Sequence, residues 1–366
     1  MIEHLADTRL KPIAEKVLAN QRLSFEDGLA LYRSDDLASL GLLANLARER
    51  KSGNLAYYIV NRHINYTNIC VNRCRFCAFS RSRGDEGAYL LSVEECLEKA
   101  AVFRGGEVSE FHIVGGLHPE LRLDYYEDLL RALKRRFPEV HLQAFTAVEI
   151  AHIARVEGVS VEECLLRLMA AGLGSLPGGG AEVFAPRIRA RLCPEKLSPE
   201  GWLEVMRTAH RLGLKSNATL LYGHVETPQE VISHLLRLRE LQDETGGFLA
   251  FIPLAFHPEH TALAGETPPT TGCDDLRALA VGRLMLDNFL HIKVFWIMVG
   301  PRLAQVALSF GADDVDGTVV EERITHAAGA ETPEGLTVEE LESLIRETGR
   351  QPARRDTLYR VLSTAT

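Results

Sequence analysis

The sequence predicts an α/β fold: a (β/α)8 TIM-type barrel with an N-terminal helical extension and a C-terminal helical tail. Three observations carry that prediction. Short β-like runs and amphipathic stretches alternate along most of the chain, and parallel strands need crossover connections of this kind. Eight such units fall between residues 53 and 330, which suits a closed barrel better than an open sheet. The stretches between the runs carry helix start and stop signals.

In chain order, residues 1–52 read as helices, because "IAEKVLANQR" and "LASLGLLANLARER" place apolar residues at three- and four-residue spacing. The strand-like runs of the barrel, 53–330, are 56–65, 110–116, 141–148, 173–179, 215–223, 248–256, 291–300 and 312–318. The fourth and eighth are the weakest in β-forming residues. Between the fifth and its predecessor, "SPEGWLEVMRTAHRLG" offers Ser198 as N-cap, Pro199 at the first helical position and Gly213 as a stop. The tail, 331–366, adds one helix with a Thr cap and a Gly stop.

Composition narrows the function class. Hydrophobic residues make up 46% and charged ones 25% of the 366 residues, an ordinary globular balance. Net charge is −9, with 41 basic against 50 acidic residues. A nucleic-acid partner is therefore not expected, since its affinity comes from neutralising phosphates. No run reaches the roughly 18 apolar residues of a membrane span, and "MIEHLADTRL" has no signal-peptide pattern, so a cytoplasmic protein is expected. The seven cysteines, without a secretory signal, argue against a disulfide scaffold. Cys96 and Cys164 lie in helical stretches and read as small buried hydrophobes. A monomer and a homodimer both remain open.

"NICVNRCRFCAFS" places Cys70, Cys74 and Cys77 within eight residues. A structural zinc site takes four ligands, usually as two well-separated pairs. Here the pairs overlap, and His63 or His112 would have to be recruited without the usual pairing. An electron-carrier iron–sulfur protein also wants four cysteines, and one is missing.

The C-x3-C-x2-C spacing, with Phe76 before the last cysteine, resembles the signature of the radical S-adenosylmethionine (SAM) superfamily. The resemblance implies a [4Fe–4S] cluster whose fourth iron stays open for SAM, which yields a 5′-deoxyadenosyl radical. It also implies an unidentified flavodoxin- or ferredoxin-like electron donor. Gly115 and Gly116 match the turn that approaches the methionine amino group, or serve a tight βα turn. After the fourth run, "SLPGGGAEVFAPRIRAR" supplies a triple glycine, Glu182 for the ribose hydroxyls, and Arg187, Arg189 or Arg191 for a carboxylate. The alternative for these arginines is a solvated helix face. "NATLLYGHVET" resembles the adenine-lining strand through Leu221, Gly223 and Glu226, with Tyr222 beside them and Thr219 replacing the first glycine.

Further words, among them "HINYTNIC", "AFHPEHT" and "FWIMVGPRLAQVALSFGADDVDGT", are similar to the subgroup that makes menaquinone and deazaflavin precursors. That similarity implies addition of the radical to the vinyl carbon of 3-[(1-carboxyvinyl)oxy]benzoate, an aromatic dicarboxylate, with rearrangement and loss of carbon dioxide as bicarbonate. The runner-up within the subgroup abstracts hydrogen and closes a ring. A non-catalytic metal or electron-carrier protein is the reading from another class. Polar groups at strand ends that could serve the dicarboxylate are Asn65, Thr67, Thr146, Glu149, Tyr222, His224 and Arg302. His257, His118 and Asp316 are the expected catalytic positions, with Thr318 beside the last. His257 could instead cap a loop, Arg302 could simply open a helix, and Trp296 reads as core.

Overall fold

The computed structural model describes residues 5–102, 108–320 and 322–365. Eleven strands are found among them: β1 (Leu55–Ile59), β2 (Asn61–Ile64), β3 (Glu110–Ile113), β4 (His141–Ala144), β5 (Ser175–Leu176) and β6 (Lys215–Tyr222). β7 (Phe248–Ala255), β8 (His291–Ile292), β9 (Asp314–Gly317), β10 (Gln351–Arg355) and β11 (Val361–Thr364) follow. β2 to β8 form one parallel sheet in sequence order. Helices pack on its outside, as the alternating pattern requires.

The first run breaks at Val60 into two strands with different partners. β2 pairs with β3, while β1 pairs with β9. A bridge from Lys293 to Asp314 joins the β8 side to β9, so the round is completed through both halves of the first run. The tail, expected as helical, carries the helix Val338–Arg346 and then two strands. β10 lies parallel on β1, and β11 folds back antiparallel on β10.

Side-chain alternation sorts the barrel into an apolar outside and a polar inside. Phe111, Ile113 and Leu142 are fully buried against the helices, whereas Glu110, His112 and Gln143 line the lumen. The helix Pro199–Arg211 shows the outer layer at work. Its Trp202, Val205, Met206 and Ala209 are buried, a helical stripe against the sheet. Ser198 caps it through the Gly201 amide at 3.0 Å, and Trp202 Nε1 donates to Gly179 O at 3.1 Å. That bond ties the outer layer to the triple glycine. Gly213 beyond its end has φ +90°.

Residues 11–52 form three helices, Lys11–Leu18, Phe25–Tyr32 and Leu37–Ser52. The latter two pack on the barrel helices Pro228–Thr245 and Gly272–Met285. The buried Arg48 donates to Gly53 O and Leu55 O, at the start of β1. The extension therefore braces the end of the barrel where the strands begin. Cys96 and Cys164 are fully buried on helices, and Trp296 is core, its Nε1 donating to Gly317 O at 2.8 Å.

Candidate active site

A cavity of about 340 Å3 runs from the loop after β2 down the barrel lumen. Cys70, Cys74 and Cys77 all line its upper end, together with Phe76, Gly115, Gly116 and the triple glycine 178–180. All three thiols are half-buried. Among the described residues no three His, Cys, Asp or Glu side chains converge on a point suited to one metal ion. A [4Fe–4S] cluster does not ask for that, because each thiolate holds a different iron. The chemistry and placement of the three thiols fit the cluster.

Cys193, at the end of the helix Pro186–Leu192, lies against Cys74. The proximity of the two thiols lifts Cys74 and lowers Cys193. Cys193 is 2% exposed and does not line the cavity, so it backs Cys74 from the protein side. Burial pushes the Cys70 thiol up. Next to this group Lys196 Nζ meets Glu182 Oε1 at 2.5 Å and stands over the Phe76 ring, 5.2 Å from its centroid.

The glycines serve the fold before they serve any ligand. A Cβ on Gly116 would lie 2.3 Å from Ile69 O, and one on Gly115 2.7 Å from the Tyr66 ring. Gly178 is closed off by the Asn217 backbone at 2.7 Å. Gly179 differs: the nearest atom to its added Cβ is Thr146 Cγ2 at 3.1 Å. Its missing side chain leaves space on the cavity side, a fit to a ligand laid across the triple glycine.

Of the residues expected from sequence, Phe76, Gly115, Gly116, Thr146, Glu149, Glu182, Leu221, His257 and Asp316 line the cavity with the cysteines. Glu149 does so with a fully engaged carboxylate. Oε1 accepts from Tyr66 OH at 2.8 Å and Gly115 N at 3.0 Å, and Oε2 from Thr146 N and Oγ1. It clamps the glycine turn and leaves little for a substrate. His257 Nε2 lies 3.1 Å from Met298 O.

The other expected residues lie outside the lining, each for a visible reason. Tyr222 follows the inward Leu221, so alternation turns it outward, and its hydroxyl donates to Asp275 Oδ1 at 2.8 Å. Glu226 accepts from Gly223 N and His224 N and closes its own loop. Arg189 is buried and donates to Ala181 O and Leu197 O, pinning the segment that carries Glu182. His118 accepts from Glu120 N at 3.2 Å. Asn65 donates to Val114 O at 3.1 Å, and Thr67 to Tyr89 O at 2.6 Å. Arg302 is exposed on the helix Pro301–Ala307. His224 Nε2 donates to Leu221 O at 3.0 Å, and Thr318 Oγ1 donates to Asn61 O at 2.8 Å.

What the motif words did not reveal is the polar lower lumen. Asn61, His63, Glu110, His112, Gln143, Asn217, Thr219 and Lys293 all face it. His63 and His112 stack at 4.5 Å, with Phe295 parallel to His63 at 6.4 Å. Burial holds both imidazoles below their ordinary pKa, hence neutral. Lys293 Nζ pairs with Asp316 Oδ1 at 3.0 Å. Period-two spacing of Glu110 and His112 about the apolar Phe111 in "EFH" was the available signal. Above the lumen, Glu322, Ile324, Thr325 and Ala328 close part of the mouth. Among the described residues no helix is long and apolar enough to cross a membrane.

Comparison with known proteins places this arrangement. Residues 64–238 match the radical SAM superfamily, and residues 245–366 the CofH/MqnC C-terminal region. The chain is 52% identical to the aminodeoxyfutalosine synthase of Thermus thermophilus, over 97% of this chain and 96% of that one. Identity to the aminodeoxyfutalosine synthase of Streptomyces coelicolor is 46%, over 96% and 94%. Against the cyclic dehypoxanthine futalosine synthase of Streptomyces coelicolor it is 40%, over 96% and 88%. Methylornithine synthase shares the fold with a TM-score of 0.73 at 19% identity, over 93% of this chain and 97% of that one.

Proposed function

The chain belongs to the radical SAM superfamily, and we propose on that footing that it carries out the aminodeoxyfutalosine synthase reaction of menaquinone biosynthesis. In that reaction the 5′-deoxyadenosyl radical of SAM adds to 3-[(1-carboxyvinyl)oxy]benzoate, which rearranges and loses carbon dioxide as bicarbonate. SAM is consumed as a co-substrate, and methionine leaves. The observation that carries the proposal is near-full-length identity to two synthases of that name, joined to three thiols facing one lumen.

Cys70, Cys74 and Cys77 are the residues that would hold the [4Fe–4S] cluster. When bound, the cluster supplies the electron that opens the sulfonium. The chain's own residues do the rest by placement. The Glu149 clamp fixes the Gly115–Gly116 turn, and Gly179 leaves room beside Glu182 for the nucleoside. Leu221, Leu254 and Phe256 present an apolar wall to the cavity. That wall and the 322–328 segment keep water from a reactive carbon radical. A soluble low-potential protein of the flavodoxin or ferredoxin kind delivers the electron, and the enzyme works in the cytoplasm.

The ring-closing reaction of the same subgroup is the second reading, and lower identity to that enzyme counts against it. A non-catalytic carrier would want a fourth cysteine at the cluster, and among the described residues three cysteines, Cys70, Cys74 and Cys77, line the cavity. The test is anaerobic incubation of reconstituted protein with reductant, SAM and the enol-ether benzoate, with products read by mass. An adenosylated, decarboxylated product supports the proposal. No turnover of SAM with this substrate refutes it.

A further inference from the structure

The lower lumen holds a cation that no step so far uses. Lys293 is 7% exposed and lines the cavity. An ammonium has three donors, and among the described residues Asp316, at 3.0 Å, is its single hydrogen-bond partner. A buried ammonium with donors to spare is costly unless something else satisfies it. Asp316 itself sits at φ +66°, a strained setting for a non-glycine residue, held by its amide on Asp314 Oδ1 at 2.6 Å. The pair is therefore aimed rather than incidental.

Depth follows from the register. Thr219 stands beside Ile252, and Leu221 beside Leu254. The Lys293 amide donates to Phe251 O, which puts Lys293 in the lower of these two layers. The cysteines lie on the loop beyond the end of β2, at the opposite end of the cavity. Among the described residues that line it, Lys196 and Lys293 supply the cationic side chains. Lys196 is engaged at the upper end by Glu182 over Phe76.

The substrate's own geometry distinguishes its two carboxylates. The carbon that gains the adenosyl group is the terminal vinyl carbon, and the enol carboxylate hangs on its neighbour. The ring carboxylate is at the far end of the molecule. With the reacting carbon held at the cysteine end, the ring carboxylate is the group that travels deepest. We infer that Lys293 takes this ring carboxylate, with the aryl ring against the parallel His112–His63–Phe295 stack. The inference rests on the reaction proposed above and names the residue that selects an aryl carboxylate for it. His63, whose ring makes no side-chain hydrogen bond among the described residues, is placed to add a second donor to the same oxygen pair. Asp316 is a positioning residue that orients the ammonium. Glu110 shares the floor, so removing Lys293 alone would leave two buried acids without their counter-charge.

The experiment therefore compares wild type with the double variant Lys293→Gln/Asp316→Asn. Each is given the natural substrate and its analogue without the ring carboxylate, 2-phenoxyacrylate, and KM and kcat are measured separately. A charge-assisted hydrogen bond to a buried carboxylate corresponds to about tenfold or more in affinity. Wild type is expected to show a KM at least about tenfold higher for the analogue. In the double variant the two KM values are expected to converge within about twofold, the coupling expected of a direct contact. Equal KM values in wild type overturn the assignment, and that measurement needs no variant to fold. Undiminished discrimination in the double variant also overturns it. A wild-type enzyme that forms no adenosylated product removes the underlying reaction and the inference with it. Product formed without discrimination removes the Lys293 assignment alone.

Discussion

Oε1 of Glu149 accepts the amide of Gly115 at 3.0 Å while its other oxygen holds the Thr146 amide and hydroxyl. One carboxylate thus joins the N-terminus of the helix Ala147–Glu157 to the glycine turn after β3. Burial pushes Glu149 up to about 7. Its folded form binds a proton more tightly than the unfolded chain does. The stability it contributes is present below the ordinary glutamate pKa of 4.5 and is lost as pH rises through about 7.

Glu149→Gln keeps one acceptor and turns an amide toward N–H groups that need an oxygen. An unsatisfied buried donor costs about 1–3 kcal/mol, and the KM for SAM is expected to rise as the turn loosens. Urea titrations across pH 5 to 8 check the sign. The advantage of wild type over the variant is expected to shrink by up to about 3 kcal/mol as pH rises. An advantage that grows with pH contradicts the burial of a protonatable clamp.

The cysteines separate into three cluster ligands and one backing residue. Replacing Cys70, Cys74 or Cys77 by Ser is expected to abolish the brown [4Fe–4S] absorbance after reconstitution. Cys193→Ser, which lies outside the cavity lining, is expected to retain a full complement of iron and sulfide. Loss of the cluster in that variant, with the protein still folded, would falsify the three-ligand assignment.

Two buried histidines make the fold acid-labile. Burial lowers His210 to about 4 and His234 to about 3. His234 Nδ1 accepts the Phe184 amide at 3.3 Å, and Nε2 donates to Thr219 O at 2.9 Å. That pattern needs the neutral ring. For a histidine with a depressed folded pKa, stability is complete above the unfolded value of 6.5 and is lost as pH falls toward the folded one. Each contributes a loss of about 2 kcal/mol between pH 6.5 and 5. His234→Gln is expected to flatten that acid limb by a similar amount in denaturant titrations. An unchanged limb would contradict the neutral, buried state.

Asp313 anchors the end of the barrel where the strands begin. It accepts from Arg283 Nη2 at 2.7 Å, His291 Nδ1 at 2.8 Å, Ser52 Oγ at 2.5 Å and Ile292 N at 2.8 Å. Arg283 and Asp313 are both sealed from solvent. Asp313→Ala leaves a buried guanidinium unpaired, and such losses run to about 3–5 kcal/mol. A large fall in Tm is expected, with unchanged cluster content per folded molecule because the site is remote. A thermally neutral variant would show that the network contributes nothing.

Much of this was legible in the sequence. Each of the eight strand-like runs contains a strand, because each interrupts a helical period with a short β-forming stretch. The cysteine spacing pointed to the upper cavity. What misled were residues matched by motif words rather than by direction. Tyr222 adjoins Leu221, and neighbours on a strand cannot both face the lumen. Arg189 looked like a ligand fork but serves backbone carbonyls. Lys293 was hidden because "HIKVFWIMVG" reads as one apolar run, of which two residues are strand, His291–Ile292, and four are helix, Trp296–Val299, with Lys293 in the segment between them. The strand β10 contains Pro352, which argues against a strand in sequence. It pairs with β1 nonetheless.

The fate of the SAM ribose tests the proposed reaction most directly. With SAM carrying carbon-13 in its ribose, reductant and 3-[(1-carboxyvinyl)oxy]benzoate under anaerobic conditions, the label is expected in a product that also contains the aryl ring, one product per SAM consumed. Label recovered only as free 5′-deoxyadenosine, with the aryl compound unlabelled, would contradict radical addition and leave hydrogen abstraction in its place.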